Sequence, residues 1–156
     1  MREIDVGIGE FRVARGFVLK SVGIGSCVAL ALYDPVNRIG GLAHVLLPRS
    51  GNSNKRSAKY ADHAVEMMLE AIENLGGRRE NLVAKIAGGA QVFKHLTSDV
   101  LRIGERNVEA VRENLARHGI RIVSEDVGGS RGRTVFFYTM DGRMLVRYTG
   151  GGELWI

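Results

Sequence analysis

Cys27-Val28-Ala29-Leu30-Ala31-Leu32-Tyr33, Asp34-Pro35-Val36-Asn37-Arg38 and Ile39-Gly40-Gly41-Leu42-Ala43-His44-Val45-Leu46-Leu47 form one continuous stretch that decides the fold. Two nearly uninterrupted apolar runs flank a short polar turn. Proline presets φ in that turn, and Asp34 and Asn37 bond local backbone. Runs of this length without polar alternation read as strands buried on both faces, so the stretch is a hairpin inside a layered protein. A turn centred on Val36 sets Cys27 level with Val45 and one step from His44. A bulge at Gly40-Gly41 would move that offset by a residue.

Working outward, residues 4–8, 11–14 and 17–22 read as short strands before the hairpin. Residues 48–56 are polar and rich in Ser, Asn and Gly, and form a surface loop next to the His44 strand. Ala61, Ala64, Val65, Met68, Leu69, Ile72 and Leu75 recur at three- and four-residue steps, which predicts an amphipathic helix over 58–75, with Ser57 as its cap and Gly76-Gly77 as its stop. Residues 82–87 are a strand. Residues 91–102 lack a period and read as a loop with a short helical turn. Residues 105–118 form a second helix. Strands follow over 120–127, 134–139 and 144–148, the last two joined by a turn around Asp141-Gly142. The order predicts an α+β fold, β-sheets forming a layered sandwich covered by two long helices.

The chain has 156 residues, enough for one domain with a substantial core, so residues 1–156 are taken as a single domain. No linker interrupts it, and Val-Gly-Ile-Gly at residues 6–9 and 22–25 is too short to mark a duplication. No segment reaches the apolar length of a membrane span, and the acidic N-terminal stretch lacks a signal-peptide core. One cysteine cannot form an internal disulfide, which points to a reducing, cytoplasmic setting. The net charge of +5 is dispersed, with short clusters only at Lys55-Arg56, Arg78-Arg79 and Arg131-Gly132-Arg133. Without aromatic–basic interleaving this argues against nucleic acid and fits an acidic protein partner equally well.

The chemistry concentrates where scarce residues meet. Cys27 is the only cysteine and His44 one of only 4 histidines, and the hairpin brings both strands side by side. A thiol beside an imidazole makes an acyl-transfer nucleophile, because the histidine both takes the thiol proton and returns it to a leaving amine. Gly23 and Gly25 strip side chains from the approach to the sulfur and leave main-chain N–H groups free for an oxyanion. Two other readings stay open at this point: a cysteine packed inertly as a small hydrophobe, and a pocket used for docking rather than chemistry. Gly-Ile-Gly-Ser-Cys lacks a P-loop lysine, and one cysteine with scattered histidines gives no zinc spacing, so no cofactor and no metal are expected.

Six ordered segments then carry a resemblance: Gly23-Ile24-Gly25-Ser26-Cys27, Ala43-His44-Val45-Leu46-Leu47-Pro48, Lys59-Tyr60-Ala61-Asp62, Lys85-Ile86-Ala87-Gly88-Gly89-Ala90, Ile103-Gly104-Glu105-Arg106-Asn107-Val108 and Glu125-Asp126-Val127-Gly128-Gly129. Together they resemble the CheD family, the chemoreceptor glutamine deamidases of chemotaxis, over nearly the whole chain. That family is similar in its catalytic core to the cytotoxic necrotizing factor toxins. The resemblance implies one deamidase domain without cofactor, with Cys27 as nucleophile and His44 as base and acid. It implies oxyanion donors around Gly25 and Ser26, and Ser21 at the family's threonine position. It also implies the cytoplasmic helices of chemoreceptors as substrate, glutamate methyl esters as a side substrate, and a CheC-type phosphatase as a possible partner. Residues 52–59 and 103–107 are candidate partner-facing segments.

Overall fold

The hairpin forms as two seven-residue strands, β4 (Val28–Asp34) and β5 (Ile39–Val45), every residue of which is buried. The structure is a computed structural model and describes residues 2–52, 54–91 and 102–156. The β4–β5 register runs unbroken from Val28 opposite Val45 to Asp34 opposite Ile39, straight through Gly40-Gly41. The turn therefore centres between Val36 and Asn37. Cys27 falls in line with Leu46 rather than Val45, and His44 sits opposite Ala29.

The period of two explains why the run is uniformly apolar. Val28, Leu30 and Leu32 join a core shared with two helices, while Ala29, Ala31 and Tyr33 join a core shared with a second sheet. Before the hairpin lie β1 (Glu3–Asp5), β2 (Phe11–Ala14) and β3 (Val18–Ile24). After it come α1 (Ala61–Asn74), a 3-10 turn over Arg79–Asn81, β6 (Val83–Gly88), α2 (Ile103–Arg117), β7 (Arg121–Val127), β8 (Arg133–Tyr138), β9 (Met144–Tyr148) and β10 (Glu153–Trp155). One sheet has the order β1-β3-β8-β9-β10 and the other β2-β5-β4-β6-β7. Both are mixed: β1 runs parallel to β3, and β6 parallel to β7. The β6–β7 pair is connected through α2, as a parallel pair requires.

The expectation of a sandwich covered by two long helices is overturned. The two mixed sheets make up most of the chain, and the helices are short, at 14 and 15 residues. Both pack on the outer face of the β2-β5-β4-β6-β7 sheet, where Ala61, Ala64, Val65, Met68, Leu69, Val108, Val111 and Leu115 meet Val28, Leu30 and Leu32. The outer face of the other sheet carries Val18, Phe136 and Leu145, with Lys20 and Arg147 over the Phe136 ring. Helical periodicity reports an apolar stripe but not which sheet the stripe will back. Aromatic side chains shielded by cationic stems let a sheet face do without a helix.

Local differences have physical causes. α1 starts at Ala61 and not at 58, and Ser57 makes no cap. Its first N–H instead donates to the Leu47 carbonyl at 3.0 Å, while Leu46 and Leu47 both donate to the Lys59 carbonyl at 2.8 Å. The helix start is thus pinned to the chain just past His44. β10 was not anticipated, because three exposed residues carry no period. The reading of 91–102 as loop falls, apart from its two end residues, outside the described residues. Among the described residues no helix is long and apolar enough to cross a membrane.

Candidate active site

Three strands bring the candidate residues together. Cys27 closes the bend Gly25–Cys27 and feeds β4, with 6% of its surface exposed. His44, fully buried, lies on β5. His44 reaches toward the other sheet, and Cys27 sits one residue before the β4–β5 ladder begins at Val28 opposite Val45, so only two positions separate its level, Leu46, from His44 on the neighbouring strand. Ser21 comes from β3 of that other sheet and is itself buried. A register shift between Ser21 and Ile24 turns both of these side chains inward and leaves Val22 and Gly23 outside.

The hydrogen bonds fix the tautomer. Ser21 Oγ lies 2.6 Å from the Val6 carbonyl and 2.8 Å from His44 Nδ1. A carbonyl only accepts, so the one hydroxyl proton goes to Val6, and Ser21 Oγ accepts the Nδ1 proton of His44. The lone pair of the neutral imidazole then sits on Nε2. That atom is buried and has no hydrogen-bond partner. An imidazole held this way keeps its accepting nitrogen on Nε2, turned away from Ser21.

Burial sets the charge state of the pair. It pushes the Cys27 thiol above its ordinary value, while the residue's own N–H pulls part of the way back. It also lowers His44 below the ordinary imidazole value. Both shifts favour a neutral thiol and a neutral imidazole in the resting protein.

The backbone around the sulfur is held by the β6 end. Gly89 N–H donates to the Cys27 carbonyl at 2.8 Å and Ala90 N–H to the Gly25 carbonyl at 2.9 Å. A side chain at Gly88 would run into the Cys27 carbonyl, so only glycine lets β6 come this close. Among the described residues, neither the Ser26 nor the Cys27 N–H donates to a backbone acceptor. These two groups are the unused donors nearest the sulfur.

Sequence reasoning placed Asn107 in a family segment and at the end of the candidate partner-facing stretch 103–107, with no role of its own. The structure buries it fully on α2. Its Nδ2 donates to the Ser26 and Leu46 carbonyls, each at 3.0 Å. Its Oδ1 is buried without a partner, an arrangement that costs roughly 1–3 kcal/mol. Asparagine inside an amphipathic helix, on the stripe with Val108 and Val111, was the available signal.

A second buried polar group ties the sheets at the same end. Arg133 Nε donates to Asp126 at 3.0 Å, its Nη2 to the Gly128 carbonyl at 2.8 Å, and the Tyr148 hydroxyl donates to the same Asp126 at 2.6 Å. His63 and His118 are elsewhere: His63 Nδ1 accepts the Ser57 N–H and His118 bonds its own helix at Asn114. His95 lies outside the described residues. Among the described residues no cluster of three or more His, Cys, Asp or Glu is placed to hold a metal ion.

A buried thiol at the head of β4 and a hydroxyl-oriented imidazole on the adjacent β5 are the residue types a thiol hydrolase uses. The family described as "CheD chemotactic sensory transduction" matches residues 46–148. The chain is 71% identical over 154 residues to the "Probable chemoreceptor glutamine deamidase CheD" of Archaeoglobus fulgidus, covering 99% of this chain and 98% of that protein. It is 46% identical over 149 residues to the "Chemoreceptor glutamine deamidase CheD" of Thermotoga maritima, covering 95% and 93%. A "Probable chemoreceptor glutamine deamidase CheD 2" of Methanosarcina acetivorans is 47% identical over 154 residues, covering 99% of this chain and 69% of that one. The chain belongs to the CheD family. The family match begins just past His44, so it is the whole-length relatives that extend the likeness over Ser21, Cys27 and His44.

Proposed function

We propose that the chain deamidates glutamine side chains of chemoreceptors, with Cys27 as nucleophile, His44 as base and acid, and Ser21 as the group that orients the imidazole. The chemistry and the substrate agree with the names of its whole-length relatives. The carrying observation is the Val6–Ser21–His44 chain of hydrogen bonds, which leaves Nε2 as the accepting atom.

His44 Nε2 takes the Cys27 proton as the sulfur attacks the carboxamide carbon of glutamine. The carbonyl oxygen becomes an oxyanion, held by the Cys27 and Ser26 N–H groups beside Gly25. One such donor contributes roughly 3 kcal/mol to the transition state. The imidazolium gives its proton to the nitrogen, the C–N bond breaks, and ammonia leaves a thioester. Water adds to that thioester while Nε2 takes a proton, the C–S bond breaks, and the thiol is restored as glutamate departs. The sum is glutamine and water to glutamate and ammonia, carried out by residues of this single 1–156 domain. The substrate lies on the cytoplasmic helices of receptors, and a free thiol suits that reducing compartment.

Incubating receptor cytoplasmic fragments with wild-type and Cys27→Ala protein, and following the amide-to-acid mass change, tests the reading. Conversion by wild type alone is expected, and equal conversion by both removes Cys27 from the chemistry. Docking of a CheC-type phosphatase is a second reading. It is favoured by a groove of about 340 Å³ between the loop after His44 and α2, lined by Pro48, Arg49, Arg106, Glu109, Ala110 and Glu113. Phosphatase stimulation that survives Cys27→Ala and is lost with Arg106→Glu is the outcome expected of that groove.

A further inference from the structure

The geometry points to Asn107 as the residue that aims the Cys27 N–H at the developing oxyanion. This inference rests on the deamidase reading and adds to it a positioning residue, 80 positions from the cysteine. α2 packs on the outer face of its sheet, whereas His44 reaches Ser21 of the other sheet on the opposite side. Asn107 Nδ2 therefore grips the Ser26 carbonyl from the helix side. That carbonyl and the Cys27 N–H belong to one trans peptide, so they point in opposite directions. Fixing the carbonyl toward α2 turns the N–H away from the helix, to the side on which His44 lies, and among the described residues it has no backbone acceptor. The influence of that N–H on the thiol agrees with this orientation.

The second bond does related work. By holding the Leu46 carbonyl as well, the same amide ties the approach to Cys27 to the chain leaving His44, beyond the point where the β4–β5 ladder stops. An asparagine kept only for packing would have both ends of its amide satisfied. Here the donor end makes two bonds while the acceptor end is buried and alone. The site retains the donor at a cost, as positions serving chemistry do.

The test uses Asn107→Leu, close in volume and without a donor, and Asn107→Asp, close in shape and without the amide protons. Both are compared with wild type on a receptor fragment. The expected result is a kcat lower by roughly 10- to 50-fold, with KM within about 2-fold. Inhibition by a peptide carrying an aldehyde in place of the carboxamide should weaken by a similar factor, because the hemithioacetal oxygen needs the same donor. Alkylation of Cys27 in the absence of substrate should fall by much less than kcat does, since that reaction has no oxyanion and feels the N–H only through the thiolate. Unchanged kcat, or a fall in kcat matched by slower alkylation, overturns the inference. If Asn107→Leu does not fold, Asn107→Ser, which keeps one donor, carries the same comparison with an intermediate kcat expected. Wild type without activity would instead sink the deamidase reading itself.

Discussion

The two ends of the β4–β5 hairpin solve opposite problems with the same two strands. At the turn, Asp34 is fully buried and saturated. Its Oδ1 accepts the Val36 and Asn37 N–H groups, and its Oδ2 accepts Asn37 Nδ2, the Arg78 N–H and Asn81 Nδ2. Burial pushes the carboxyl up, but these donors prevail and hold it at about 2. At the other end, His44 Nε2 and Asn107 Oδ1 are equally buried and bonded to nothing. A folded protein seldom leaves such atoms unpaired. The turn end uses its polar groups to close the fold, whereas the site end holds them ready for a reactant. Arg133 Nη1, in the group that ties the sheets at this same end, is likewise buried and without a partner among the described residues, so the unpaired atoms gather at the site end while the turn end has none.

The sharpest way to break this comparison is to remove one group from each end. His44→Leu should lower glutamine conversion by roughly 10³-fold or more, because both proton transfers lose their carrier. Its melting temperature should hold or rise, since the substitution deletes an unpaired nitrogen and Ser21 keeps its bond to Val6. The pH dependence follows in sign. His44 is lowered from 6.5, so its contribution to stability is present above that value and is lost as pH falls below it. The acid limb of kcat/KM for the wild type accordingly lies below pH 6.5. A variant that loses stability but keeps activity would reverse the roles assigned to the two ends.

Asp34→Ala is the mirror experiment and has the next largest effect. It strands five part-buried donors, three of them in the turn itself, and should cost roughly 3 kcal/mol in denaturant unfolding. Activity per folded molecule should stay within about 2-fold. The wild-type carboxylate, lowered from 3.8 to about 2, supplies stability that is complete above pH 3.8 and disappears as pH falls toward 2. Linkage puts that contribution at about 2 kcal/mol. Acid unfolding of Asp34→Ala should lack this component. Identical acid profiles for the two proteins would show that the turn end is not the saturated anchor its bonds describe.

How much of this was legible depends on the range of the interaction. The hairpin, its doubly buried faces and the placing of Cys27 and His44 at the same end of it were readable, because strand period and turn chemistry are local. The register was off by one residue, since Pro35 biases the turn without fixing its centre. The placement of both helices on one sheet was not readable, because an amphipathic stripe does not name its partner. Ser21 was visible only through family resemblance. Nothing near Ser21 in the sequence says that β3 faces β5 across the gap, or that Val6 is the carbonyl waiting for its hydroxyl. Asn107 was invisible as a clamp, because its two acceptors lie 81 and 61 positions away.

Ser21 gives the smallest and most discriminating prediction. The family's threonine would restrict the hydroxyl through its methyl, and serine gives that restriction up. In this fold the Val6 carbonyl, 2.6 Å from Ser21 Oγ, supplies it instead, because the hydroxyl must point there to pair a buried acceptor. Ser21→Thr should therefore leave kcat within about 3-fold, whereas Ser21→Ala should lower it by roughly 10-fold, the equivalent of one net hydrogen bond of about 1.4 kcal/mol. A tenfold gain from threonine would mean that the carbonyl does not hold the rotamer. An unaffected alanine variant would mean that the imidazole keeps its tautomer without the hydroxyl, and the contrast between a saturated and an unsaturated hairpin end would lose the bond that holds His44 to the other sheet.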